Sequence, residues 1–395
     1  MFDLRPGLEE RQRQGLYRQR RVNESPQGPI VCIDGKDLLS FCSNDYLGLA
    51  NHPLIRQAAI DAIDRFGVGS GAAHLVNGHH RLHHECEQQL AEFTGRDRAL
   101  LFSTGYMANL AVGTALCGRG DVILQDRLNH ASLIDAARLS DARLRRYHHA
   151  DYQQLQRLLD EHSDSAARKL VMTDSVFSMD GDQADLDALA ALCDRADRAL
   201  MVDDAHGFGV LGASGAGSCE QAGQGQDRVP VLMATLGKAA GVSGAFVAGS
   251  DALVETLVQQ SRSYIFTTAS PPALAAAVMA ALTIIRLDAW RRQKLAELVA
   301  AFRQRAADLP WPLMESETPI QPLLVGDNHA AQQISRQLFE QGLLVTAIRP
   351  PTVPPGTARL RVTLSAAHEM EHVERLVAAL RAIARQQAGN PRQPV

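Results

Sequence analysis

The sequence is poor in the features that mark several classes of protein. Aromatic residues make up only 5% of its 395 positions, and 40 Lys plus Arg nearly balance 44 Asp plus Glu, which leaves a formal net charge of −4. Such a chain has no basic excess to attract nucleic acid or an anionic membrane surface. Its partners are therefore expected to be small molecules or further copies of the same chain.

Long apolar runs and closely spaced cysteine pairs are also missing. The longest apolar stretch, 273–285, is shorter than the roughly 18–20 residues that cross a bilayer, so we expect a buried helix there. The first residues, MFDLRPGLEERQRQ, are charged where a secretory signal would be apolar, which favours the cytoplasm. The six cysteines form no C-x-x-C pair and are expected to be reduced thiols.

What the sequence does have is a wealth of aliphatic residues in alternating patterns. Between about 98 and 247, short β-rich runs alternate with helical segments, which is typical of βαβ units on a mainly parallel sheet with helices on both faces. These runs are ALLF, DVIL, LVMTDSV, ALMVDDAH, VPVLMATLG and GAFVAG. We therefore predict an α/β fold whose large domain is built around this sheet.

The chain is also too long for a single core, since cores stop growing near roughly 250–300 residues. We predict an N-terminal segment, 1–45, that packs with a small domain, then a large domain, 46–285, and a small α+β domain, 286–395. The Arg-rich run 11–21 is expected to form a lead-in helix, and a final helix is expected over 368–387.

Reactive side chains follow two of the predicted strands. The run LFSTGYMAN places Gly105 and Tyr106 at a strand-to-helix turn, where backbone N–H groups favour a phosphate. The run LMVDDAHGFG ends a buried strand with Asp203, Asp204 and His206, and a carboxylate in that place is costly unless it has a partner. Open parallel sheets bind ligands at this edge, so a binding site is expected there.

A third such run, VLMATLGKAAGVSGAF, carries a lysine among glycines. Apolar and small neighbours suggest that Lys238 is a buried amine, and desolvation lowers the pKa of a lysine toward the neutral, nucleophilic form. Together with Asp203 and the Gly105 turn it supplies the three groups that a pyridoxal 5′-phosphate site needs: an amine for the aldehyde, a carboxylate for the pyridine nitrogen and a phosphate cup.

The sequence also resembles the α-oxoamine synthases, PLP-dependent enzymes of fold type I. The resemblance covers about residues 5–385 and rests on FCSNDYLGLANHP, FGVGSGAAHLVNGHH, NHASLIDAARLS, TDSVFSMDGDQADL, VDDAHGFGVLG, TLGKAAGVSGAF and TAIRPPTVPPGTARLRVTLSAAHE. The first six motifs resemble the group as a whole. The last resembles a biotin-pathway member, which implies condensation of L-alanine with a pimeloyl thioester, on coenzyme A or an acyl-carrier protein, with loss of carbon dioxide.

The resemblance implies a role for each matching residue around the cofactor. Lys238 would bind its aldehyde, Asp203 its pyridine nitrogen and His206 its ring hydroxyl. His130 would stack on the ring. From its position alone, we also hypothesise that His130 assists as an acid near the acyl carbonyl. Further contacts would come from Gly105, Tyr106, Ser178 and Thr235, and Thr268 would reach the phosphate of a neighbouring subunit, which implies a homodimer. Asp204 is interpreted as structural.

Substrate contacts involve the C-terminal part of the chain. The period of two in RLRVTLS puts Arg359 and Arg361 on one strand face, and a guanidinium there could hold an amino-acid carboxylate. The resemblance favours Arg361, with Asn44 either assisting it or capping a turn. It also implies substrate binding by His130 and by Arg18 and Thr352, with Arg349 nearby.

Some alternatives stay open from the sequence alone. Other α-oxoamine synthases, namely glycine C-acetyltransferase, 5-aminolevulinate synthase and serine palmitoyltransferase, share the general motifs, and a non-catalytic partner subunit would share the fold. A Rossmann oxidoreductase is disfavoured, since no G-x-G-x-x-G follows the first strand. In NGHHRLHHE the i,i+4 pairs His79/His83 and His80/His84 lack a suitably spaced third ligand, so no metal site is expected.

Overall fold

A computed structural model describes residues 2–14, 16–161 and 167–389. Its helices are α1 (Arg5–Arg13), α2 (Pro53–Phe66), α3 (Arg81–Thr94), α4 (Gly105–Leu116), α5 (Ala131–Leu139), α6 (Tyr152–Asp160), α7 (Leu186–Leu192), α8 (Ser218–Gln221), α9 (Asp251–Gln260), α10 (Arg262–Ile265), α11 (Pro272–Leu287), α12 (Ala289–Ala306), α13 (Asn328–Glu340) and α14 (Met370–Gly389). A π-helical turn covers His74–Gly78.

The strands are β1 (Ile30–Ile33), β2 (Lys36–Ser40), β3 (Arg98–Phe102), β4 (Val122–Asp126), β5 (Arg143–Tyr147), β6 (Lys169–Asp174), β7 (Arg198–Asp203), β8 (Val231–Thr235), β9 (Ala245–Gly249), β10 (Ile320–Gly326), β11 (Leu343–Leu344), β12 (Thr346–Ile348) and β13 (Ala358–Thr363).

The central sheet has seven strands in the order β3-β9-β8-β7-β6-β4-β5. Five of them, from β8 to β5, are parallel, and β9 runs antiparallel to both β8 and β3. Every residue of β4 and β6 is buried, as expected for parallel strands that helices cover on both faces. The predicted mainly parallel α/β sheet is confirmed, and each of the six β-rich runs contributes a strand to it.

Strand β5 was not predicted. Its sequence, RLRRY, contains three arginines and lies at the edge of the sheet, where only β4 pairs with it. Charged side chains suit an edge strand because they discourage pairing with another chain, but they also hide the apolar pattern. Tyr147 alone is fully buried.

Two three-stranded sheets, β1-β2-β11 and β10-β13-β12, complete the architecture. In the first, Leu39 of β2 lies opposite Leu343 of β11, which joins the beginning of the chain to its C-terminal part. In the second, β13 is the central strand and is wholly buried. The domain limits at 45 and 285 stay a prediction.

Two predicted helices have different limits. The N-terminal helix α1 ends at Arg13, before most of the 11–21 run, and it buries no side chain that would hold the run helical. The last helix begins at Met370 because His368 is instead buried, with Nδ1 accepting from the Ser365 N–H and Nε2 lying 2.8 Å from the Ser40 carbonyl oxygen. All six cysteines lie in the described part of the chain and are free, as expected.

Among residues 2–14, 16–161 and 167–389, no helix taken singly combines the length and apolar character needed to cross a bilayer. Helices α11 and α12 meet that test of length and composition only as a pair, which is bent by 71°.

Candidate active site

Polar residues end four neighbouring strands of the central sheet. Asp126 ends β4, Asp174 ends β6, Asp203 ends β7 and Thr235 ends β8. Because these strands are parallel and adjacent, their last residues gather at one edge, where open α/β sheets bind ligands. The predicted site residues Asp203 and Thr235 thus share this edge with Asp174 and Asp126, which received no role from the sequence.

Lys238 follows β8 and contacts a buried histidine. Its Nζ lies 2.8 Å from Nε2 of His206, and Nδ1 of His206 lies 2.6 Å from the Tyr46 hydroxyl. Burial lowers the pKa of Lys238 to about 8 and lowers that of His206 far below its usual range. A neutral imidazole therefore faces an amine that is readily deprotonated near neutral pH.

Gly241 explains the close fit of the Lys238 turn. Its N–H donates to the Lys238 carbonyl oxygen at 2.9 Å, and its φ is 69°. A Cβ built at this position would lie 2.5 Å from the Ala50 nitrogen, closer than any side chain is tolerated. Only glycine combines this backbone conformation with such an approach, which brings the lysine turn against the SNDYLGLA loop.

Asp203 is a buried carboxylate with two hydrogen bonds. Its Oδ2 accepts from the Asn109 side-chain N–H at 2.7 Å, and its Oδ1 accepts from the Ala205 N–H at 3.0 Å. Burial raises its pKa above the usual range, so the charged form needs a cation beside it. Asp204, predicted to be structural, accepts from Ser175 and Ser218 instead, and burial raises its pKa to about 6.

Helix α4 begins beside the end of β8. Its N-cap residue is Thr104, whose hydroxyl oxygen accepts from the Met107 N–H at 3.1 Å. A Cβ built on Gly105 would lie 3.9 Å from Cβ of Thr235, so the two residues are neighbours. The turn that the sequence predicts to bind a phosphate thus lies at the start of α4, and its binding of an anion stays a prediction.

The imidazole of His130 is held at the start of α5. Its backbone N–H donates to Oδ2 of Asp174 at 2.7 Å, and its Nδ1 lies 2.7 Å from the Ser132 hydroxyl. The Asn109 side chain also donates to that hydroxyl at 2.8 Å, which links His130 to Asp203 through two polar groups. His130 itself is exposed, and Tyr106 lies edge-on to it with ring centroids 6.4 Å apart.

The two strand arginines have different partners. Nε of Arg361 donates to the Ser178 carbonyl oxygen at 2.7 Å, and both terminal nitrogens donate to Oδ1 of Asn44 at 3.3 Å. Arg359 instead pairs with Asp180. Arg359 thus has a carboxylate of its own, whereas the oxygens that Arg361 contacts within the described part of the chain are all neutral.

A cavity of about 440 Å³ opens beside Lys238 and Asn44. Asn44, Asp45, Cys42, Gly237 and Lys238 are among its lining residues. A second cavity, of about 700 Å³, shares Cys42, Ile33 and Leu344 with it and reaches Arg349. The lysine and asparagine therefore face a space large enough for a small ligand.

The remaining predicted site residues lie outside this contact network. Arg18 is exposed after α1, and Thr352 is exposed in a turn where its N–H donates to the Arg349 carbonyl oxygen at 3.0 Å. Thr268 is exposed after α10. Nothing in the described part of this subunit brings Thr268 to Lys238.

Four residues of the network received no role in the sequence analysis. Asp174 ends a strand as Asp203 does, so the same rule about carboxylates on buried strands would have found it. Asn109 and Ser132 are buried polar residues on helices. The Asn109 side chain contacts Asp203, 94 positions away, and Ser132, 23 positions away, and helical periodicity cannot reveal contacts between residues so far apart in the sequence. Tyr46 lies in a quoted motif, but only the fold brings it to His206.

Comparisons with known proteins show which family the chain resembles over most of its length. The family model described as "Aminotransferase class I and II" matches residues 36–380. The chain is 58% identical over 373 residues to the 8-amino-7-oxononanoate synthase of Hahella chejuensis, covering 94% of each chain. It is 59% identical over 379 residues to that of Pseudomonas putida, covering 96% of each.

Solved structures show the same fold. The Sphingomonas wittichii serine palmitoyltransferase is 30% identical, with a TM-score of 0.92 and 98% of each chain covered. An 8-amino-7-oxononanoate synthase from Francisella tularensis is 29% identical, with a TM-score of 0.78, covering 89% of this chain and 99% of that one.

Proposed function

We infer the function from one premise: the chain belongs to the class I and II aminotransferase family and, within it, to the 8-amino-7-oxononanoate synthases. It is a PLP-dependent enzyme of fold type I that condenses L-alanine with a pimeloyl thioester, releasing carbon dioxide, in biotin biosynthesis. The single observation that carries this conclusion is the 57% to 59% identity to several such synthases over nearly the whole chain.

The residues present fit pyridoxal 5′-phosphate. Asp203 is a buried carboxylate whose raised pKa calls for a cation, which a protonated pyridine nitrogen would supply. We assign the aldehyde to Lys238 and the ring hydroxyl to His206. The ring and phosphate would be bound by Gly105, Tyr106, Ser178 and Thr235. When bound, the cofactor serves as an electron sink for carbanion chemistry at the amino-acid Cα.

Lys238 is the group that we propose to move the proton. Its pKa of about 8 leaves an appreciable neutral fraction near neutral pH, which is suited to accepting the Cα proton of alanine. The neutral His206 beside it does not compete for that proton, because burial holds its pKa far lower. Lys238 returns the proton to the same carbon after decarboxylation, so it acts first as a base and then as an acid.

The substrates are held by other residues of the chain. Arg361 binds the alanine carboxylate, with Asn44 orienting the guanidinium through its 3.3 Å hydrogen bonds. The Cα–C bond to the acyl carbon forms as the thioester C–S bond breaks, and His130 stands at the exposed side as an acid for the acyl oxygen. Arg18, Arg349 and Thr352 contact the acyl substrate.

The amino acid that the enzyme accepts distinguishes the proposed function from that of a serine palmitoyltransferase. Serine palmitoyltransferases share the fold at 28% to 30% identity, well below the identity to the oxononanoate synthases. Purified holoenzyme given pimeloyl thioester should turn over L-alanine and yield 8-amino-7-oxononanoate by mass spectrometry. Comparable turnover with serine or glycine, or none with alanine, would reject the assignment.

The acyl carrier is either coenzyme A or an acyl-carrier protein. Both present the acyl group on a phosphopantetheine arm, and the 700 Å³ cavity that leads from the Lys238 cavity carries Arg21, Arg336 and Arg349. These cationic side chains would attract the phosphate of such an arm. Steady-state kcat/KM for the two pimeloyl thioesters, measured side by side, identifies the carrier.

We also propose a homodimer with shared active sites. Four exposed apolar side chains, Val68, Leu75, Val76 and Phe266, are 53% to 78% exposed in the single chain. Such a concentration of exposed apolar residues favours an interface between copies. Thr268 follows Phe266 by two positions, so burial of this surface would carry Thr268 toward the partner's phosphate site.

A further inference from the structure

Several potential metal ligands gather where the π-helical turn His74–Gly78 meets the start of α3. Ligand atoms of His79, His84 and Glu87 all lie within 4.8 Å of one another. The i,i+4 pairs expected from the sequence are not the relevant grouping, because α3 begins at Arg81 and His79 precedes it. His84 and Glu87 are i,i+3 neighbours on one face of the helix, and His79 approaches that face from the turn.

His83 is not available as a ligand. Its Nδ1 accepts from the His80 N–H at 3.0 Å, and its Nε2 lies 2.8 Å from the Ser270 carbonyl oxygen, to which it donates. Both ring nitrogens are therefore engaged in holding the fold. This excludes the second nearby grouping, His74 with His79 and His83, as a three-ligand site.

His79 has the partner that a metal-binding histidine needs. Its Nδ1 lies 2.9 Å from Nδ1 of His74, whose ring stacks on Tyr264 with centroids 4.9 Å apart. With the shared proton on His79 Nδ1, the lone pair of Nε2 is free for a metal, as in known outer-shell arrangements.

Glu87 supplies a carboxylate oxygen without a matching donor. Its Oε1 accepts from the Leu101 N–H at 2.9 Å, while Oε2 lies 4.0 Å from Nε2 of His79, beyond hydrogen-bond distance. The side chain is only 13% exposed. A cation between Oε2 and Nε2 would satisfy both atoms.

We propose that Nε2 of His79, the imidazole of His84 and Oε2 of Glu87 form a binding site for a divalent transition-metal ion of the zinc type. Two imidazoles and one carboxylate are ligands that zinc accepts, and a water molecule completes a tetrahedron. Ligand atoms of a tetrahedral zinc are about 3.3 Å apart. Reaching that spacing from the observed separations of up to 4.8 Å requires the exposed His79 and His84 side chains to rotate. The Gln88 side-chain nitrogen lies 3.1 Å from Nε2 of His84, so ligation through that nitrogen would replace this contact.

The ion would stabilise a segment connected to the cofactor site. Ala269 N–H donates to the Ala72 carbonyl oxygen at 3.0 Å, and the Ser70 hydroxyl donates to the Ser270 carbonyl oxygen at 2.6 Å. A metal fastening His79 to α3 therefore also fixes the chain around Thr268. The role is structural, and it is independent of which acyl substrate the enzyme uses.

The test measures Zn²⁺ binding to chelator-treated holoenzyme by competition with a chromophoric chelator. Wild type should bind one equivalent of Zn²⁺, and this binding should raise the melting temperature. His84→Ala and Glu87→Gln should each weaken zinc binding at least tenfold. Losing even an outer-shell partner typically costs roughly 10–100-fold in metal affinity. Glu87→Gln keeps the acceptor for Leu101. His329→Ala, an exposed histidine on α13, is the matched control and should bind as wild type does.

Either of two results would overturn the proposal. One is equal zinc affinity in wild type and His84→Ala, which would place bound zinc elsewhere. The other is wild-type binding no tighter than millimolar. His84 is exposed, so His84→Ala is expected to fold, and retained cofactor absorbance verifies that it has. Co²⁺ gives an independent reading, since its visible absorption should be lost in the same variants and kept in His329→Ala.

Discussion

The choice between Arg361 and Arg359 shows how single contacts decide a residue's role. Both are buried on β13, yet Arg359 is neutralised by Asp180, whereas Arg361 donates to Ser178 and Asn44 oxygens that carry no charge. A guanidinium surrounded by neutral acceptors keeps its attraction for a substrate carboxylate. The sequence could place both arginines on one face but could not show the Asp180 pairing, since that partner lies 179 positions away.

Arg361→Lys tests this reading. An ammonium lacks the planar fork of a guanidinium, so alanine binding should weaken by about 1.5–3 kcal/mol, the range for hydrogen bonds to charged groups, while cofactor binding is kept. Titration of the bound-cofactor absorbance with alanine measures the change. If Arg349→Lys or Arg359→Lys shows the loss and Arg361→Lys does not, the carboxylate is bound elsewhere.

At the scale of elements, His149 joins a strand end to the turn that carries Ser178. Its Nδ1 lies 3.1 Å from Asp126 of β4, and its Nε2 lies 2.8 Å from Asp182 in the turn after β6. Burial opposes protonation, but the hydrogen bonds and charges of the two aspartates outweigh it and raise the pKa of His149 to about 10. The imidazolium thereby holds in place the turn whose carbonyl binds Arg361.

The contacts of His149 with Asp126 and Asp182 predict that the stability of the fold depends on pH. A histidine with a folded pKa near 10 and an ordinary unfolded value of 6.5 keeps a proton that the unfolded chain has lost. The contribution of His149 to the free energy of unfolding is complete below pH 6.5 and falls by up to about 1.4 kcal/mol per pH unit until pH 10. Urea unfolding at pH 7 and pH 9 should show His149→Gln approaching wild type at the higher pH.

The control for that measurement is His329→Gln, whose difference from wild type should be the same at both pH values. A difference between His149→Gln and wild type that does not shrink from pH 7 to pH 9 would contradict this role of His149.

The large helices and strands could be predicted from the sequence, because buried parallel strands are continuous apolar runs. It missed β5 and the limits of α1, where charge on an edge strand and the lack of a buried face remove that signal.

At the scale of the whole molecule, the proposed dimer would bring exposed Thr268 to the cofactor site of the partner. If each site takes Thr268 from the partner, then Lys238→Ala and Thr268→Asp chains, each inactive as homodimers, should complement one another. Their heterodimer has one intact site, so random mixing should restore about a quarter of wild-type activity. Heterodimers that form without any recovery would place Thr268 outside the partner's site.

The central claim is that Lys238 is the amine that binds pyridoxal 5′-phosphate at the carboxyl edge of the sheet. Borohydride reduction of the holoenzyme, followed by peptide mass spectrometry, locates the covalently attached cofactor without relying on turnover. If Lys238 is that amine, the phosphopyridoxyl mass will be found on Lys238 and will be absent from Lys238→Ala treated in the same way. The same mass on another lysine of the wild-type protein would contradict it.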